Sequence, residues 1–181
     1  MEKIAVIYWS GTGNTELMAK YVAEGAKAAG AEADVFSVSD FSQGQLGEYA
    51  RYALGCPAMG AEELEDSEFQ PFYEAVKPAL NGKKVALFGS YGWGGGEWMN
   101  PWKADAEAAG LVLVADPLAI ENAPDDAGKA ACQNLGKTLC GCKCSSVHRC
   151  TSDKDSFGLD IITTPSVVQT NVVPEILGQD W

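Results

Sequence analysis

Residues 4–15 read Ile4-Ala5-Val6-Ile7-Tyr8-Trp9-Ser10-Gly11-Thr12-Gly13-Asn14-Thr15, a continuous apolar run followed by a loop of glycines, hydroxyls and an amide. A short apolar run with no polar alternation is the pattern of a strand buried on both faces, and such strands belong to parallel sheets covered by helices. Directly after the loop, Leu17, Met18, Tyr21, Val22 and Gly25 fall on one helical stripe, with Glu16, Lys20 and Glu24 facing away. This is the spacing of an amphipathic crossover helix. Strand, tight loop and helix make the first half of a βαβ unit.

The same grammar recurs along the chain. Val85-Ala86-Leu87-Phe88 and Leu111-Val112-Leu113-Val114 repeat the buried-strand character; Val35-Phe36-Ser37-Val38 alternates as an outer strand should, and Tyr52-Ala53-Leu54-Gly55-Cys56 is a weaker third strand. Helical stripes lie between them at Phe69, Phe72, Tyr73, Val76 and Leu80, at Trp98 to Ala109, and at Asp125 to Leu139, the last opened by Pro124 and Asp125. Five strands and four or five helices with right-handed crossovers give an α/β, doubly wound three-layer sandwich on a five-stranded parallel sheet. Its ligand site is expected at the carboxyl ends of the strands, near the reversal of strand order.

Thirteen Lys and Arg against 25 Asp and Glu leave a formal charge of -12, which repels nucleic-acid phosphates and anionic lipid. No window approaches the roughly 18 apolar residues of a membrane span, and Ile4 to Trp9 is too short for a signal peptide, so a cytoplasmic protein is expected. Of six cysteines, Cys56 stands alone while Cys132, Cys140, Cys142, Cys144 and Cys150 crowd together. Residues 141–181 hold as many Ser and Thr, nine, as all of residues 1–140, which places a boundary near Cys140. The acidity divides as -10 in the body and -2 in the tail. Cys140, Cys142, Cys144, Cys150 and His148 invite a metal reading, but C-x-C-x-C is not the usual zinc or iron–sulfur spacing. The tail reads instead as a poorly ordered extension, with a packed strand or a partner-binding segment as the alternatives.

Three loops at strand ends carry the chemistry. The first, Ser10 to Thr15, offers backbone N–H groups at a helix start and hydroxyls beside them, a natural phosphate pocket. It lacks Gly-Lys-Ser/Thr and the third glycine of the dinucleotide fingerprint, so both common nucleotide readings weaken. What remains suits a terminal monophosphate held without a cation; the plain alternative is an ordinary N-cap turn. The second loop runs Gly55-Cys56-Pro57-Ala58-Met59-Gly60-Ala61-Glu62-Glu63, and the third Gly89-Ser90-Tyr91-Gly92-Trp93-Gly94-Gly95-Gly96-Glu97-Trp98. Trp93 among glycines is better placed to face a ligand than to fill a core. With Met59 opposite, the three loops outline a site for a flat aromatic cofactor carrying one phosphate, and flavin mononucleotide (FMN) fits.

Tyr8 to Thr15, Leu54 to Gly60 and Leu87 to Gly94 together resemble the short-chain flavodoxins of anaerobic bacteria, over about residues 2–140 and including Asn122 to Asp126. The resemblance implies strand order 2-1-3-4-5 and tightly held FMN. It places Ser10, Thr12, Asn14 and Thr15, with the amides of Gly11 and Gly13, around the phosphate. Trp93 would stack on the outer flavin face and Met59 on the inner; the Gly60-Ala61 peptide would face N5, and Glu62 would accept from N3–H. Pro57, Ala58, Ser90, Tyr91, Gly92 and Gly94 would complete the two flavin loops, and Asn122 would contact the ring edge or ribityl chain. Ala61 and Gly95 stand where the family often has Asp or Ser.

The implied function is a low-potential one-electron carrier, shuttling between semiquinone and hydroquinone, rather than an enzyme. A Gly60 carbonyl turned toward N5 would stabilise the neutral semiquinone, a turn that favours glycine. Glu62, Glu63, Glu65, Asp66 and Glu68 would then oppose the second electron, each by on the order of 1.5 kcal/mol at about 10 Å before screening. The same acids also read as a solvated helix start with favourable dipole placement. Acidity around the flavin edge would steer a monomeric carrier transiently to basic patches on redox partners, and neither nucleic acid nor membrane is an expected partner. The alternatives are a small FMN-dependent oxidoreductase or a flavin-binding regulatory module. The body has no histidine for acid–base work, since His148 lies in the tail.

Overall fold

In a computed structural model of the chain, which describes residues 2–141, the elements follow in the order β1 (Lys3–Tyr8), α1 (Asn14–Ala28), β2 (Glu32–Ser37), β3 (Arg51–Gly55), α2 (Phe69–Val76), β4 (Lys84–Tyr91), α3 (Met99–Ala108), β5 (Val112–Leu113), β6 (Leu118–Glu121) and α4 (Asp126–Leu139). Short 3-10 turns at Gln43–Glu48 and Lys77–Leu80 complete the connections. Every strand pair is parallel, in the order β2-β1-β3-β4-β5.

Alternation along the central strands shows why these runs contain no polar residues. Ala5 and Ile7 of β1, Tyr52 and Leu54 of β3, and Val85 and Leu87 of β4 pack on the face covered by α2 and α3, where Trp102 stands edge-on to the parallel rings of Phe69 and Tyr73. Ile4, Val6, Ala53, Ala86 and Phe88 point to the opposite face, under α1 and α4. Both faces are dry, so both residue sets must be apolar. The three layers expected from the sequence are present.

The helical layer of α1 and α4 corrects one detail. The buried residues of α1 are Thr15, Met18, Ala19, Val22, Ala23, Gly25 and Ala26, and Leu17 and Tyr21, expected on the stripe, are only half-buried. The helix is rotated toward its alanines because α4 approaches at backbone distance. A Cβ on Gly25 would run into the Gln133 carbonyl, and one on Gly136 into the Val22 carbonyl. Small residues, not large apolar ones, are what this contact accepts.

The sheet holds six strands rather than the expected five, because its β4 edge partner is broken in two. β5 pairs with Lys84 and Val85, and β6 with Phe88 through Tyr91. Four residues, Val114 to Pro117, stand opposite only Ala86 and Leu87, and Pro117 has no N–H to give the ladder. Strand ends also shift: β1 stops at Tyr8, so Trp9 leaves the strand, although its N–H still donates to Gly55 O. The readings of Cys142, Cys144, His148 and Cys150 lie outside the described residues. Among the described residues, no helix is long and apolar enough to cross a membrane, and no group of three or more His, Cys, Asp or Glu is placed to hold a metal ion.

Candidate functional site

The carboxyl ends of β1, β3 and β4 open onto a cleft of about 380 Å³, within the roughly 300–1,000 Å³ typical of small-molecule sites. Gly11, Thr12 and Asn14 line it from the first loop, Pro57, Ala58 and Met59 from the second, Ser90, Tyr91, Gly92 and Trp93 from the third, with Asn122 at the end of β6. None of these residues is charged. Sequence reasoning thus named every residue lining this cleft.

At the end of the cleft nearest the first loop, the start of α1 is open. Gly13, the residue before the helix, is left-handed at φ 93, and no side chain caps α1. By contrast, α4 is closed by Asp125, whose side chain accepts from Gly128 N at 2.8 Å. The open first turn of α1 leaves backbone N–H groups and the positive end of the helix dipole for a ligand. Ser10 Oγ accepts from Gly13 N at 2.9 Å and so shapes the loop from within. Thr15 is buried, its Oγ1 3.0 Å from Ser90 Oγ, which ties the first loop to the third. Ser10, Gly13 and Thr15 build the cradle, and Gly11, Thr12 and Asn14 face it.

At the other end, Met59 and Glu63 exchange backbone hydrogen bonds of 2.9 and 2.8 Å around a tight turn. Gly60 at its corner is exposed with φ 51, and Glu62 is left-handed at φ 59. A left-handed glutamate costs on the order of 1 kcal/mol. It is held there by its carboxylate: Oε1 accepts from Gly95 N at 3.0 Å, Gly96 N at 3.1 Å and Glu97 N at 3.4 Å. Glu62 therefore bridges the second and third loops, a role the sequence did not reveal. It also explains Gly94, where a Cβ would collide with that carboxylate. The same loops are joined by Ala58 N to Ser90 O at 2.9 Å, and Asn122 N donates to Tyr91 O at 2.7 Å. Trp93, on the third loop and in the cleft lining, is 57% exposed. Gly60, Ala61, Glu62 and Gly94 are not among the residues that line the cleft.

Not all of the nearby acids are solvated. Glu65 is only 6% exposed, and its carboxylate accepts from the N–H groups of Ser67, Glu68 and Phe69 at 2.7–2.8 Å, closing the start of α2. Burial alone would raise this carboxyl, but the three N–H donors outweigh it and hold it below the usual carboxylate range. Sequence reasoning missed this cap because Glu is not a usual capping residue. The Cys56 thiol beneath accepts from Glu65 N at 3.4 Å, and burial pushes it up to about 12, which removes it from thiolate chemistry near neutral pH.

Glu65→Gln is expected to destabilise the fold by about 1–2 kcal/mol at neutral pH. A carboxyl whose folded pKa lies below its unfolded value stabilises the fold above the unfolded value, about 4.3, and loses that contribution as pH falls through the folded value. Urea unfolding of the two proteins should therefore differ at pH 7 and converge on acidification below about pH 4. A gap that persists or widens in acid would show that the N–H groups do not favour the charged form.

Comparison with known proteins agrees with this architecture. Residues 6–136 match the Flavodoxin family. The flavodoxin of Clostridium beijerinckii is 46% identical over 134 residues, covering 74% of this chain and 96% of that protein. The flavodoxin of Megasphaera elsdenii is 45% identical over 134 residues, with the same coverage of 74% and 96%. The solution structure of two-electron reduced Megasphaera elsdenii flavodoxin superposes with a TM-score of 0.69, covering 76% of this chain and 98% of that one. With the family match over residues 6–136 and this likeness over nearly the whole of those proteins, the chain belongs to the flavodoxin family, the FMN-binding electron carriers.

Proposed function

We propose that the three-loop cleft holds FMN and that the protein is a low-potential carrier of single electrons between redox proteins, not an enzyme acting on its own substrate. The observation that carries this is the cleft itself: an uncapped helix start at one end, and at the other an exposed Trp93 and a Met59–Glu63 turn locked to the third loop. Bound FMN supplies reversible one-electron chemistry. The chain's part is to bind and orient it. The N–H groups of the 10–15 loop, with Ser10, Thr12, Asn14 and Thr15, surround the phosphate without neutralising it. Trp93 covers the outer ring face, Met59 the inner, and Asn122 the edge or ribityl chain.

In this reading the exposed Gly60 peptide would offer its carbonyl as an acceptor at flavin N5, a turn that glycine permits at low cost. Glu62 keeps Oε1 on the third loop and accepts from flavin N3–H with its other oxygen. Pro57, Ala58, Ser90, Tyr91, Gly92 and Gly94 fix the loop paths. Residues 1–140 form the FMN-binding unit and 141–181 an appendage. We further propose a monomeric cytoplasmic carrier whose acidic flavin rim docks transiently on basic surfaces.

The rim makes a salt-sensitive kinetic prediction. Electron transfer from the reduced protein to a basic acceptor such as cytochrome c should slow by about tenfold or more between low salt and 0.5 M NaCl, because exposed charges are screened beyond a few Å there. A rate independent of salt, or one that rises with it, contradicts electrostatic docking.

A further inference from the structure

We propose that Trp9 is a positioning residue that couples the phosphate loop to the flavin-facing 57–68 loop, acting through Glu68; this rests on the FMN site described above. Trp9 is the residue that leaves β1 just before the first loop. The six-membered edge of its indole lies directly against that loop, since a Cβ on Gly11 would stand 3.1 Å from Cη2 and 3.3 Å from Cζ3. The other edge points across the sheet end: Nε1–H donates to Glu68 Oε2 at 2.6 Å, joining residues 59 positions apart. A bond to a carboxylate at this length is charge-assisted and directional. Trp9 also packs on the α2/α3 core, so its ring is fixed from below.

Glu68 is not an arbitrary acceptor. It is the residue preceding α2; its N–H donates to Glu65 Oε2 at 2.8 Å, and its carbonyl accepts from Phe72 N at 3.2 Å. Glu65 in turn donates its N–H to Cys56 Sγ at 3.4 Å. The 57–68 loop is thereby closed at its base, and Trp9 ties that base to the loop that surrounds the phosphate. A shift of either loop strains the other, so each end of the cleft holds the other in place.

Trp9→Phe keeps the ring against Gly11 and removes only the donor, and Glu68→Gln keeps an acceptor while Glu68→Ala removes it. Flavin-free Trp9→Phe and Glu68→Ala should exchange the amide hydrogens of residues 59–69 about fivefold faster than wild type, with FMN bound about fivefold more weakly. The double variant should be no worse than either single one, the signature of one shared contact. Glu68→Gln should restore exchange rates and most of the affinity. The gap between the two one-electron potentials should also narrow in Trp9→Phe, in which every charge is retained. Wild-type exchange and affinity in Trp9→Phe, or additive losses in the double variant, would overturn the coupling. Failure of the wild-type protein to bind FMN would instead overturn the site on which it rests.

Discussion

Alanine at Gly136 is expected to destabilise the protein by about 3 kcal/mol, a shift of about 10 °C in Tm for a domain of this size. The sign is the informative part. On an open helix face Gly→Ala stabilises by up to about 1 kcal/mol through helix propensity and unfolded-chain entropy. Here the new methyl would enter the Val22 carbonyl and crowd Ala26 N, both of them backbone atoms that cannot swing aside. The helices must separate, and the alanine face of α1 loses its cover. Gly25→Ala meets the Gln133 backbone and should behave alike. Gly47, with nothing within 4 Å, is the control and should tolerate alanine with little change in Tm. If Gly136→Ala melted at or above the wild-type temperature, the backbone-distance contact of α1 and α4 would be wrong.

Thr12→Asp is the second large effect, and it falls on function rather than stability. Thr12 is exposed at the open end of α1 and lines the cleft. A carboxylate there would face a phosphate that carries about -1.5 to -2 and has no lysine or arginine beside it in the cleft lining. Two unit charges about 4 Å apart repel by about 4 kcal/mol at an effective dielectric near 20. Allowing for screening, FMN affinity should fall by about 10²–10³-fold. Riboflavin, which lacks the phosphate, should bind wild type and Thr12→Asp equally. Equal losses for both flavins, or no loss for FMN, would move the phosphate away from this loop.

Much of the fold was legible because the central strands are covered on both faces. Ile4 to Ile7 and Val85 to Phe88 leave no room for polar alternation, and their apolar runs survive as β1 and β4. β6 was not legible: Leu118-Ala119-Ile120-Glu121 is short, follows a proline, and becomes a strand only because β4 is long enough to offer a second stretch of edge. The buried stripe of α1 was misplaced for a related reason. Hydrophobicity alone picks out Leu17 and Tyr21, whereas the close approach of α4 selects alanine and glycine.

The cleft was the more readable part of the site. Loops that line a ligand pocket carry their chemistry locally, and Gly11, Thr12, Asn14, Met59 and Trp93 announce it within a few residues. The bonds that hold the loops to each other are long-range. Glu62 to Gly95, and Trp9 to Glu68, join residues 33 and 59 positions apart. No periodicity or motif encodes such a pair, and an acidic run reads as solvated until its partners are placed. Glu62, Glu65 and Glu68 accordingly serve three separate hydrogen-bonding roles.

The one-electron function is tested most directly by stepwise reductive titration of the FMN-loaded protein, followed by visible absorption and potentiometry. Two well-separated one-electron steps are expected, the second at a markedly lower potential than that of free FMN. A single concerted two-electron step would contradict a carrier of single electrons.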